Sequence, residues 1–221
     1  MEGQIVKILA ADYVTHNVRH FVVEKPEGFS YIPGQATDVS INKPGFEQEL
    51  RPFTFTSLPD AEHLEFVIKI YKDRKGVTEQ LSLLQPGDEL ILHEVFGAIN
   101  YQGPGVFIAG GAGITPFLAI LRSIKQTGDL AKCILLFANH TEDDIILREE
   151  LEALLGEHCV HILSTPLKEG QKSRIDKELL SEHLVDPQQF YYVCGPDQFT
   201  ADMVRMLGEL GIKDDHIVIE Q

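Results

Sequence analysis

The chain has 221 residues, 43% of them apolar and 24% charged, the proportions of an ordinary globular protein with room for one or two domains. Its 34 acidic and 19 basic residues leave a formal charge of −15, which repels nucleic acid and anionic membrane from most directions of approach. Cys133, Cys159 and Cys194 are too widely spaced for a zinc or iron–sulfur clip, so a reducing cytoplasm is expected, with no signal peptide and no membrane span.

The first half alternates apolar and polar residues with period two. Strands are predicted over residues 5–9, 18–23, 36–41, 52–56, 64–71 and 89–94, separated by turns such as Pro33-Gly34, Pro44-Gly45 and Pro86-Gly87. The pattern implies a six-stranded antiparallel β-barrel or sandwich. In its fourth strand, Arg51-Pro52-Phe53-Thr54 puts a guanidinium and a ring on one face, a fork for phosphate and a flat surface for another ring. A surface charge beside a core ring is the alternative reading. Further on, Gly76-Val77-Thr78-Glu79-Gln80-Leu81 reads as a glycine turn entering a short helix capped by Thr78. Its free amides suit an anion, although Glu79 opposes one.

From about residue 101 strands alternate with helices, which places a domain boundary between residues 1–100 and 101–221. Strands are predicted over 106–109, 133–138, 159–164, 190–194 and 216–220, and helices over 116–125, 142–155, 177–184 and 198–210. Nearly continuous apolar strands in this rhythm imply an α/β domain with a five-stranded parallel sheet, whose ligands sit at the carboxyl ends of the strands.

Two strand ends carry chemistry. Gly110-Gly111-Ala112-Gly113-Ile114-Thr115-Pro116 is a glycine loop leading into a helix, with glycines that permit positive φ and close approach of a ligand, Thr115 as a cap and Pro116 at the first helical position. Pro116 replaces the third glycine of the usual dinucleotide fingerprint, and a plain tight turn is the competing reading. The second end, Cys194-Gly195-Pro196-Asp197, puts a thiol at a strand tip, where inert packing is the simpler explanation.

Together, Pro33-Gly34-Gln35, Arg51-Pro52-Phe53-Thr54, Gly76-Val77-Thr78, the 110–116 loop and Cys194-Gly195-Pro196 resemble the ferredoxin-NADP reductase family, in order and spacing, over nearly the whole chain. The resemblance implies a flavoprotein oxidoreductase with an FAD-binding barrel and an NAD(P)-binding domain. It implies that Arg51 binds the FAD pyrophosphate, Phe53 stacks on the isoalloxazine and Thr54 lies near flavin N5. Backbone of Ile68, Lys69 and Ile70 would follow the ribityl chain, and Gly76, Val77 and Thr78 the pyrophosphate. Gly110, Gly111, Gly113, Thr115, Pro116, Cys194, Gly195, Pro196 and Asp197 would frame the nicotinamide nucleotide. Thr54, Cys194 and Glu220, the last as the family's terminal carboxylate, are the candidate catalytic residues. Two departures stand out: Phe53 replaces the usual tyrosine, and the chain lacks the terminal aromatic residue of many members.

Selecting NADPH requires cations for a 2′-phosphate. The second strand of the α/β half runs into Asn139-His140-Thr141-Glu142-Asp143-Asp144, where Asn139 is a candidate nucleotide contact and acid dominates. NADH is therefore the expected donor, with Arg174 and Lys168 the basic residues that argue for NADPH. The expected acceptor is a separate protein such as flavodoxin or ferredoxin, or a small oxidant, and the sequence requires no metal. Three rival readings are the reductase component of an oxygenase or iron–sulfur system, a flavin-free dinucleotide-binding sensor, and a generic α/β protein without a cofactor, in which the glycines are only turns.

Overall fold

The computed structural model describes residues 3–71, 76–97, 99–165, 173–184, 186 and 188–220. The first half contains β1 (Gln4–Thr15), β2 (Val18–Glu24), β3 (Ala36–Ile41), β4 (Arg51–Thr54), β5 (His63–Lys69), the short helix α1 (Val77–Leu81) and β6 (Glu89–Phe96). The strands form one antiparallel sheet in the order β4-β3-β6-β1-β2-β5. The sheet curls until its end strands meet, where the Thr56 amide donates to the Glu65 carbonyl at 2.9 Å. Period two decides what goes inside: Val6 and Ile8 are buried while Ile5 and Leu9 face water. Phe21, Phe55, Phe66 and Leu64 fill the barrel, and Tyr31 stacks on Phe55 with centroids 4.2 Å apart.

The second half contains β7 (Gly105–Gly110), α2 (Thr115–Thr127), β8 (Ile134–Asn139), α3 (Arg148–Leu155), β9 (Cys159–Leu163), α4 (Lys177–Glu182), β10 (Phe190–Cys194), α5 (Asp197–Glu209) and β11 (Ile217–Ile219). Its parallel sheet has the order β11-β10-β7-β8-β9, so the chain reverses direction across the sheet beside β7. Helices α2 and α3 cover one face through Phe117, Leu121 and Leu151, and α4 and α5 the other through Leu180, Met203 and Leu207. The switch point lies between the carboxyl ends of β7 and β10, where ligands of such sheets bind.

Three local expectations change. The helix predicted over 142–155 shortens to α3, because a Thr141–Asp144 capping box closes a separate turn and Leu147 turns left-handed, at φ 50°. Ile145 and Ile146 are both buried in the segment between that turn and α3. Thr78 is not a cap: Gly76 precedes α1, the buried Val77 opens it, and the Thr78 hydroxyl accepts from the Tyr71 amide at 3.4 Å. Thr115 also lies inside its helix, with Pro116 second, because a 3₁₀ turn over Gly111–Ile114 runs straight into α2. Its hydroxyl donates to the Ala112 carbonyl at 3.0 Å.

Candidate functional site

A cleft of about 1200 Å³ opens between the two halves. That exceeds the roughly 300–1,000 Å³ of a pocket for one small molecule, leaving room for two ligands to meet. The barrel contributes Pro52, Phe53 and Thr54 from β4, Ile68 and Lys69 from β5, and Thr78 from α1. From the α/β half come Gly110, Gly111, Gly113, Thr115, Pro116, Asn139, Arg174, Cys194, Gly195, Pro196 and Glu220. Residues named from two distant stretches of sequence thus share one cavity. Asn17 and Tyr71 also line it. Sequence reasoning passed over both, although Tyr71 follows Lys69 at the same period-two spacing.

Other named residues stand elsewhere. Ile70 and Val77 are buried in the barrel core, and Gly76 precedes α1 outside the cleft lining. Asp197, the first residue of α5, lines a smaller neighbouring hollow that shares Cys194, Gly195 and Glu220 with the main cleft. Arg51 is exposed and turned aside, with Nη1 donating to the Leu50 carbonyl at 2.6 Å and Nη2 lying 3.6 Å from Glu49. Lys168 lies outside the described residues.

The glycines act by different means. Only Gly111 of the loop adopts a left-handed φ, 54°, which favours a residue without Cβ. Gly113 instead presses on the β10 terminus: a Cβ there would come within 2.2 Å of the Cys194 carbonyl oxygen. Gly110 and Gly195 pack on the Phe199 ring, where a Cβ would sit 3.1 and 2.6 Å from Cδ1. Of the three loop glycines that could take a positive φ only Gly111 does so; the other two are small so that backbones and a ring can touch.

Several features suit a ligand. The outer edge of β5 pairs with no strand among the described residues beyond the Thr56 bridge, leaving backbone polar groups facing the cleft. The buried Asn139 carboxamide has no protein partner for either end among the described residues, an arrangement whose cost a bound hydroxyl or phosphate would relieve. The Cys194 thiol donates to Glu220 Oε2 at 3.7 Å, and burial, then the Glu220 charge, push it up to about 12. It is a neutral hydrogen-bond donor and not a nucleophile. Asp144 stays below its ordinary value: burial opposes this, but hydrogen bonds from Thr141 and the charges of His16 and Lys69 outweigh it.

Charges near the α4–α5 end of the cleft are mostly spent on each other. Lys177 pairs with Glu209, and Arg205 lies 2.9 Å from Glu209 and 3.3 Å from Asp202. Arg174, exposed at the rim, has no ion pair among the described residues. No three His, Cys, Asp or Glu side chains cluster as metal ligands, and no helix is long and apolar enough to cross a membrane, again among the described residues.

A family model described as an FAD-binding domain matches residues 4–104, and one described as an oxidoreductase NAD-binding domain matches residues 107–205. The chain is 31% identical over 224 residues to NADH–cytochrome b5 reductase 1 of Arabidopsis thaliana, covering 93% of this chain and 79% of that one. It is 31% identical over 239 residues to NADH-cytochrome b5 reductase 1 of Rattus norvegicus, covering 88% of this chain and 77% of that one. The fold matches a ferredoxin NADP+ reductase from Neisseria gonorrhoeae solved with FAD and NADP, with a TM-score of 0.83 at 21% identity, over 98% of this chain and 97% of the other. The chain belongs to the ferredoxin-NADP reductase family and is an electron-transfer flavoprotein, an NAD(P)H-dependent FAD oxidoreductase.

Proposed function

We propose that this enzyme takes hydride from NADH and delivers electrons singly to a haem protein of the cytochrome b5 kind. The observation that carries the acceptor is the likeness to two NADH-cytochrome b5 reductases along most of both their lengths and this chain's. It moves the expected partner from flavodoxin or ferredoxin to a small haem protein. FAD supplies the exchange between a two-electron donor and a one-electron acceptor.

The chain's residues divide the remaining work. In this reading residues 1–100 hold the flavin and residues 101–221 the nicotinamide nucleotide. Phe53 offers its ring for stacking and Thr54 a hydroxyl beside it, while the open edge of β5 at Ile68 and Lys69 offers main-chain partners; the amide of Ile70, just past β5, is already donated to the Asn17 carbonyl. Arg51, swung from Glu49, and the amides of Gly76, Val77 and Thr78 take the pyrophosphate. Gly110, Gly111, Gly113, Thr115, Pro116 and Asn139 hold the nucleotide, with Arg174 and Asp197 at its margins. Cys194, Gly195, Pro196 and Glu220 close round the nicotinamide, orienting it and excluding water. NADH is favoured because Lys177 and Arg205 are already paired with acids, leaving Arg174, of the described cations that the α/β half brings to the cleft, for a 2′-phosphate. Three free cysteines support a reducing compartment such as the cytoplasm.

The test is a visible spectrum of the purified protein before and after anaerobic NADH, followed by turnover with cytochrome b5, ferredoxin and flavodoxin at equal concentration. Yellow colour bleached by NADH and fastest turnover with cytochrome b5 are expected. Faster turnover with flavodoxin or ferredoxin would overturn the acceptor, and kcat/KM for NADPH equal to or above that for NADH would overturn the donor.

A further inference from the structure

Apolar contact holds the halves together without fixing their angle. Val18 of β2 and Val67 of β5 are buried in the same cluster as Phe117 and Leu121 of α2, and such contact is non-directional. Direction comes chiefly from Arg122, on the helix that the glycine loop opens; a second charged contact across the junction, His16 with Asp144, is longer, at 3.8 Å, and exposed on the histidine side. Arg122 Nε and Nη2 donate to the two Glu150 carboxylate oxygens at 2.6 and 2.9 Å, a bidentate fork within the α/β half that fixes the plane of the guanidinium. The remaining Nη1 crosses to the barrel. It donates to the Thr56 carbonyl at 2.5 Å and to Glu65 Oε2 at 3.1 Å.

The landing point matters. Thr56 lies two residues past Thr54, and Glu65 lies three before Ile68 on β5. The Thr56 amide itself bridges to the Glu65 carbonyl, so Arg122 docks where the barrel closes. Both strands that carry the barrel's share of the cleft meet there. The side chain is only 20% exposed, which strengthens these charge-assisted bonds over a pair in open water.

We propose that Arg122 is a positioning residue: it sets the distance and angle between the β4–β5 platform and the glycine loop, and so the approach of nicotinamide to flavin. This rests on the reductase reading of the cleft. Arg122 lines no part of the cavity and touches neither ligand in this assignment. Its removal should leave each binding half intact and misalign the pair, and small misplacements of reacting atoms are costly in rate.

The experiment compares wild type, R122Q, R122K and E65Q as full-length holoenzymes, by anaerobic stopped-flow reduction with saturating NADH. FAD affinity of the apoproteins and hydrogen exchange across residues 54–68 and α2 are measured alongside. In R122Q the limiting rate of flavin reduction is expected to fall about tenfold or more. FAD affinity should stay within about twofold, as for sites that share no partner. Exchange should quicken around Thr56. R122K, which can reach one acceptor but lacks the fork, should fall between R122Q and wild type. E65Q removes the negative charge from a cross-domain acceptor without touching α2, leaving a weaker neutral hydrogen bond, and slower reduction with unchanged FAD affinity is expected, even if R122Q proves too unstable to purify.

Reduction of R122Q within about twofold of wild type would overturn the proposal, because misalignment should cost more. So would a loss of FAD affinity that matches the loss of rate, since that marks a damaged barrel. An E65Q protein indistinguishable from wild type in rate and exchange would also count against it. Wild-type flavin that NADH fails to reduce would instead overturn the reductase reading, and this role of Arg122 with it.

Discussion

The Cys194 thiol donates to the Glu220 carboxylate across 3.7 Å, tying the end of β10 to the residue after β11. Burial and the neighbouring charge hold the thiol at about 12, so it stays protonated throughout the neutral range. Native protein should therefore leave Cys194 unlabelled by a thiol reagent at about pH 8, whereas unfolded protein should react at Cys133, Cys159 and Cys194 alike. Cys194→Ala should retain FAD but be reduced by NADH about tenfold more slowly, as orientation at the nicotinamide is lost. Rapid labelling of native Cys194 would remove the neutral-donor role. A normal reduction rate in the alanine variant would return the residue to packing.

Gly113 and Gly111 separate two reasons for glycine in one loop. At Gly113 an added methyl meets main chain, 2.2 Å from the Cys194 oxygen and 2.7 Å from the Gly195 nitrogen, so loop and β10 must part. Gly113→Ala should raise KM for NADH and lower the reduction rate together, because both sides of the nucleotide site move. Gly111→Ala meets open space and pays only for a left-handed backbone, about 1–2 kcal/mol of stability. Denaturant unfolding and NADH titration of the two variants distinguish these effects. Wild-type behaviour of Gly113→Ala would show that the approach is not tight.

Much of the fold could be read from the sequence because its signals are local. Alternation marks β1 through β6, and continuous apolar runs such as 106–109 mark a sheet covered on both faces. Where reading failed, a distant contact decided. Val77 opens α1 because the barrel core receives its side chain, and the helix predicted from residue 142 is interrupted by the Thr141–Asp144 capping box and the left-handed Leu147, with Ile145 and Ile146 buried between them. Nothing near Arg122 announces partners 66 and 57 residues away. The site was legible in the sequence as residue types at strand ends, but side-chain direction was not: Arg51 faces Glu49 here, although its neighbours Pro52 and Phe53 line the cleft.

Arg51 supplies a direct test of the flavin platform. A charge-assisted bond to phosphate is typically worth about 1.5–3 kcal/mol, so Arg51→Ala should weaken FAD binding by about tenfold to a hundredfold. Its present partners are weak, an exposed contact with Glu49 at 3.6 Å and its neighbour's carbonyl, and little opposes a swing toward phosphate. Titration of the apoprotein with FAD gives the measurement. Unchanged affinity would remove Arg51 from the pyrophosphate site.

Glu65 should make the assembly sensitive to acid. His20 Nε2 lies 3.2 Å from its carboxylate, close enough for attraction although poorly aligned for a hydrogen bond. The His20 contact chiefly, and Arg122 in addition, hold the Glu65 carboxyl below its ordinary 4.5 against the opposing effect of burial. A folded-state value below the unfolded one means that the unfolded chain binds more protons in this range, so stability rises with pH. The contribution is complete above 4.5 and is lost as pH falls below it toward the lower folded value. Between about pH 5 and about pH 3.5 the wild-type melting temperature should drop more steeply than that of Glu65→Gln, which carries no carboxyl to protonate. Parallel pH profiles for the two proteins would show that the contacts of the Glu65 carboxylate with His20 and Arg122 contribute nothing to stability.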